Sequence, residues 1–103
     1  MNSQDTIRIY KDKDLMEEIT VLDMGIVNAG EVEKFTFWIK NISNAFLRQL
    51  EFSIEHSEVE ILSAPVQLNA QAVDELVVEW SPTITLKEGL KAQLRVRGEE
   101  LWG

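Results

Sequence analysis

Cysteine is absent from this sequence, histidine occurs once, proline twice and glycine five times in 103 residues. Without thiols the chain has neither a disulfide framework nor a thiolate metal site, so its stability must come from a packed core. One imidazole, His56, leaves zinc a poor set of ligands. No apolar run approaches the roughly 18 residues of a membrane span, and the opening MNSQDTIRIYKDKD lacks the basic and apolar regions of a secretory signal. The expected location is the cytoplasm, or a virion assembled there. Positive charge is also scarce: ten Lys and Arg stand against eighteen Asp and Glu, a formal charge of −8. Such a surface repels phosphate backbones and anionic lipids, so the expected partners exclude nucleic acid and membrane and include a basic protein surface.

What remains is a globular composition, with 45% apolar and 27% charged residues, in a chain the length of one domain. A single domain over residues 1–103 is expected, with residues 1–5 frayed and an N-terminal strand plus an acidic loop or helical turn over 6–18.

Side-chain spacing decides the class. Phe35, Phe37 and Ile39 sit two apart with Lys34, Thr36 and Lys40 on the other parity, the period of a strand with one buried face. Phe46, Leu50, Phe52 and Ile54 share a parity against Gln49, Glu51, Ser53 and Glu55. A shorter run, Val59 and Ile61, ends before Ala64-Pro65. Leu76, Val78 and Trp80 alternate with Glu75 and Glu79 up to Ser81-Pro82, and Leu90, Ala92, Leu94 and Val96 alternate with Lys91, Gln93, Arg95 and Arg97 up to Gly98. Ile7–Tyr10 and Ile19–Met24 read as further short strands. Six or seven strands about ten residues apart, with turn residues between, predict an all-β, immunoglobulin-like antiparallel sandwich. Only Asp12–Ile19 has helix-compatible offsets, at Leu15, Met16 and Ile19.

Two stretches also resemble a known family. Leu22-Asp23-Met24-Gly25-Ile26-Val27, then Ala29-Gly30-Glu31, then the Phe35–Asn41 strand, is similar to the opening of ASH-type immunoglobulin-like domains, relatives of the major-sperm-protein fold. Leu76 to Thr83, ending Trp80-Ser81-Pro82-Thr83, is similar to their strand followed by an aromatic-x-Pro-Thr signature. Met24 stands where the family usually has an aromatic. The resemblance implies a sandwich and the role of a cellular scaffold or cytoskeletal adaptor. It also implies one strand beyond Leu94–Val96, for which the sequence offers only Glu99 to Gly103. The last sheet edge is therefore expected to be open or filled by the chain's own Thr6–Tyr10 strand, by a neighbour's, or by a partner's. The first filling needs no second chain and is favoured.

Chemistry is hard to find. His56 lies in Glu55-His56-Ser57-Glu58, but adjacent strand residues point to opposite faces, so sequence adjacency does not build a triad. Asp12, Asp14, Glu17 and Glu18 crowd one segment, yet counting an EF-hand loop from Asp12 puts Glu17 at the required glycine and Asp23 at the bidentate glutamate. No phosphate-cradling glycine motif occurs. The expectation is a non-enzyme without cofactor or metal. Binding candidates are Trp38, whose parity turns it away from Phe37, Trp102 near the end, Tyr10, and the outward stripe Lys91, Arg95 and Arg97, which is expected to pair with carboxylates on an adjacent strand. Trp80 belongs to the core by parity. The reading is a protein-protein interaction module, first of all a virion accessory subunit decorating a capsid or tail, with a cellular scaffold or cytoskeletal adaptor domain as the runner-up and homo-oligomerisation through an open edge as one mode. A carbohydrate-binding module stacking a sugar on Trp38 is the alternative from another class.

Overall fold

The structure, a computed structural model, describes residues 6–102. Its strands are, in chain order, β1 (Ile7–Tyr10), β2 (Glu18–Ile19), β3 (Leu22–Asp23), β4 (Glu33–Asn41), β5 (Phe46–Ile54), β6 (Val59–Ser63), β7 (Val73–Trp80), β8 (Lys91–Ala92) and β9 (Leu94–Leu101). They form a five-stranded antiparallel sheet in the order β2-β1-β4-β7-β6, and a second layer made of the pairs β5-β9 and β3-β8. Gln93 alone separates β8 from β9, so β3 lies against the start of one long strand and β5 against the rest. This is the antiparallel immunoglobulin-like sandwich that the spacing predicts.

Alternation places the core. Phe37 opposes Leu76 and Phe35 opposes Val78 across β4 and β7, while Thr36 opposes Val77 and Trp38 opposes Glu75 on the other face. Phe37, Ile39, Leu76, Val78 and Trp80 are buried in one cluster with Leu47 and Leu50 of β5, Leu94 of β9, Leu22 of β3 and Met24. Each such side chain contributes about 1.5–3 kcal/mol by leaving water. Trp80 is fully buried, as expected, and its indole N–H has no partner there.

Four expectations are narrowed or corrected. Of the acidic loop or helical turn expected, the chain forms a loop over residues 12–17, and Glu18–Ile19 is already strand β2. Leu15 takes a left-handed backbone (φ 59°), and the Asp12 carboxylate instead accepts the amides of Met16 and Glu17 at 3.0 and 2.9 Å. Met16 is 84% exposed, so the helical offsets had no face to bury. Secondly, Ile19–Met24 is not one strand. The chain passes from one sheet to the other between Ile19 of β2 and Leu22 of β3.

The third correction concerns β5, where the parity of Phe46 does not continue to Leu50. Leu47 and Leu50, three apart, both face the core because a β-bulge intervenes: Gln49 has φ 53°, and the register jumps from Arg48 opposite Glu99 to Glu51 opposite Arg97. Gly98 sits across the bulge. A Cβ there would lie 2.8 Å from Leu50 Cδ2 and 2.9 Å from the Arg48 carbonyl oxygen, so glycine permits the approach, and the strand runs through it to Leu101 instead of stopping. Finally, Thr6–Tyr10 does not fill the edge beside β9. Ile7 to Tyr10 pair with Asn41 to Trp38 of β4 in the other sheet.

Gly25 and Gly30 take left-handed turn conformations, at φ 60° and 86°. Asn41 is the last residue of β4. It is completely buried at the end of β4, where its Nδ2 donates to the carbonyls of Ala45 (2.8 Å) and Asn69 (3.0 Å), and Oδ1 accepts from the amide and hydroxyl of Ser43. One amide thus ties the β4–β5 turn to the Leu68-Asn69 loop. Replacing it strands buried carbonyls, which costs about 1–3 kcal/mol for each unsatisfied group. Asn41→Leu is expected to lower unfolding free energy by about 3 kcal/mol in urea titration, with an unchanged denaturant slope; Ser43→Ala, which removes one bond of the set, is expected to cost less.

Candidate functional site

The sequence candidates divide between the two sheets. On the five-stranded sheet, Tyr10 of β1 stands directly opposite Trp38 of β4, and opposed residues of an antiparallel ladder share a face with Cβ atoms about 5 Å apart. The two aromatics therefore form one shelf on the face turned away from the core, each neither buried nor fully exposed. Lys40 opposite Val73 and Thr36 opposite Val77 place the two valines diagonally beside Trp38 on the same face. Val73 is 41% exposed. Charges border the strip: Glu75 and Glu18 in its own row, Lys40 and Arg8 in the next, with Arg8 Nε 3.1 Å from Glu18 Oε1.

The other sheet carries the arginine stripe. Arg95 Nη1 lies 2.7 Å from Glu55, Arg97 pairs with Glu51, and Arg48 Nε lies 2.8 Å from Glu99. Arg97 and Arg48 thus meet carboxylates of the neighbouring strand and Arg95 meets Glu55 just past the end of β5, in line with the parity expectation, and each exposed pair is worth about 0.2–1 kcal/mol. Lys91 of β8 sits opposite Asp23 of β3. Trp102 follows β9, is 64% exposed, and holds its indole N–H 3.4 Å from a Glu100 carboxylate oxygen. The structure joins Trp38 to Tyr10 but leaves Trp102 and the basic stripe in a different sheet. Sequence reading overlooked Val73 and Val77; the signal was Val77 lying between Glu75 and Glu79 on the outward parity of β7.

The segment around the single histidine is held by its own turn. His56 Nδ1 accepts the Glu58 amide at 3.3 Å, and the Glu58 carboxylate accepts both the hydroxyl (2.6 Å) and the amide (3.0 Å) of Thr83. Those bonds, the Thr83 hydroxyl first, hold the Glu58 carboxyl below the usual glutamate range. Asp12 is lowered likewise, chiefly by the Glu17 amide. Both carboxylates therefore fasten loops.

No family model and no curated protein matches the chain. Among solved structures it is similar to the ASH / PapD-like domain of human CEP192 (PapD-like domain 7), with a TM-score of 0.58 at 13% sequence identity, over 93% of this chain and 72% of that one. The chain has an ASH-type, PapD-like immunoglobulin-like fold.

Thr83→Val is expected to raise the Glu58 pKa toward its ordinary value, read by carboxyl-carbon NMR titration. A folded-state value below the unfolded one stabilises above the unfolded pKa, and that contribution is lost as pH falls through the lower folded value. The variant should accordingly lose its small stability deficit in acid.

Proposed function

We propose that this chain is a non-enzymatic protein-interaction module of the scaffold kind, and that it receives its partner on the outer face of the five-stranded sheet around Tyr10 and Trp38. The carrying observation is the aromatic pair itself. The fold needs one face of β4 for its core, and the other face holds two large amphipathic side chains flanked by Val73 and Val77. Aromatic residues in such a position bury much area on binding at small entropic cost, which is why they dominate interface energetics. A complementary partner offers an apolar or aromatic side chain to the shelf and basic groups toward Glu75 and Glu18, in keeping with a chain of charge −8.

The likeness to an ASH / PapD-like domain of a human protein favours a scaffold over a virion-surface subunit. The alternative of a sugar stacked on Trp38 draws support from the same side chain. The paired arrangement with Tyr10 and the hydrophobic flanks are better suited to a protein surface than to a polyhydroxylated ring.

Trp38→Ala and Tyr10→Ala are expected to lose the same protein partner that the native chain retains in quantitative affinity purification, while both unfold cooperatively and Arg95→Ala keeps that partner. Binding on a glycan array that vanishes in Trp38→Ala, with protein partners unchanged, would replace this reading with the carbohydrate one.

A further inference from the structure

The second sheet has, among the described residues, a longer uninterrupted edge than the first. Among the described residues no strand pairs with the side of β9 turned away from β5. Other edges are blunted. β5 is flanked by backbone bonds to Leu68 and Val66, β2 has two residues, and β6 has a register break between Ile61 and Ser63 with Pro65 just beyond. β9 offers eight residues without an extra residue of its own, and the Gln49 bulge belongs to β5. A long unprotected edge is a template for another strand. Beside its start lies a groove of about 370 Å³ between β1–β2 and the β8–β9 junction, with Ile7, Ile9, Ile19 and Leu94 among its walls.

The charges along this edge say what fits it. In Leu94-Arg95-Val96-Arg97-Gly98-Glu99-Glu100-Leu101 the basic residues precede the acidic ones, an order that complements itself only when a second copy runs antiparallel. We propose that two copies of this chain pair through β9 about a two-fold axis at Gly98, each seating its Trp102 over the other's groove. In this register Arg97 faces the partner's Glu99. Because Arg97 already pairs with Glu51 and Glu99 with Arg48, each junction becomes a row of four alternating charges, Glu51, Arg97, then the partner's Glu99 and the partner's Arg48. Arg95 faces the partner's Leu101, itself 41% exposed.

On the inner parity Gly98 meets its counterpart with no side chain to clash, and Glu100 meets the partner's Val96 at the rim. Trp102 falls opposite the partner's Leu94, a wall of the groove. Moving the axis to Arg97 sets two arginines directly against each other, which is destabilising, and takes Trp102 off Leu94. The Gly98 register explains three otherwise separate features: the bare edge, the exposed tryptophan and the order of the charges. An isologous contact of this kind closes at two copies.

Light scattering with sedimentation velocity on the 103-residue chain tests the proposal. The native chain is expected at twice its monomer mass. Arg97→Glu and Glu99→Arg are each expected to be monomeric alone, because like charges then meet at both junctions, and to form a one-to-one pair when mixed, because opposite charges meet again at both. Trp102→Ala is expected to weaken association by about tenfold or more, as loss of an aromatic anchor does. Hydrogen exchange on the native chain needs no variant: β9 amides should slow as concentration rises through the association range. A monomeric native chain, a dimer indifferent to both charge reversals, reversed chains that stay apart when mixed, or β9 exchange independent of concentration would each overturn it. Trp38 lies on the other sheet, so a monomer that still binds a partner through Trp38 overturns self-association alone.

Discussion

Everything in this molecule follows from the two-residue period of β4. Phe37 and Ile39 must enter the space between the sheets, because burying them there is what holds the layers together, and Trp38 between them has no choice but to face outward. The core and the outward aromatic face are therefore one decision. A strand that slipped by one residue would bury Trp38 and Lys40 and expose Phe37, exchanging the two faces at once.

In β4 and β5 the alternation is interrupted at one position each, and both interruptions are built from polar chemistry. At Gln49 a left-handed residue adds a bulge, so that Leu47 and Leu50 both reach the core while Gly98 yields space across the ladder. At Asn41 an amide takes an inward position that the pattern would give to an apolar residue, and fills it with bonds to Ala45, Asn69 and Ser43. The first interruption re-aims β5. The second fixes the turn that brings β5 back over β4.

These features also mark the border of what the sequence makes legible. Strand content and the core roles of Phe37, Leu76, Val78 and Trp80 can be read directly, because period-two alternation is local. The bulge cannot, since Gln49 differs from any outward polar residue only in its backbone. Nor can the partner of β1 be read: pairing Ile7–Tyr10 with β4 rather than with β9 depends on contacts across some thirty positions, which no local pattern encodes. The candidate site shares that division. Parity singles out Trp38, but its meeting with Tyr10 and with Val73 and Val77 is a matter of inter-strand register. Val77 was hidden inside the apolar run Leu76-Val77-Val78.

The two sheets consequently offer different kinds of surface, one a side-chain shelf and the other a backbone edge with charges in order. Whether parity truly divides core from outer surface is tested most directly on the three tryptophans. With 5-fluorotryptophan incorporated and resonances assigned by single Trp→Phe variants, a soluble paramagnetic agent should broaden Trp102 readily in dilute solution, Trp38 to a lesser degree and Trp80 scarcely at all, following 64% exposure, partial exposure and complete burial. A Trp38 signal as well protected as that of Trp80 would contradict the account.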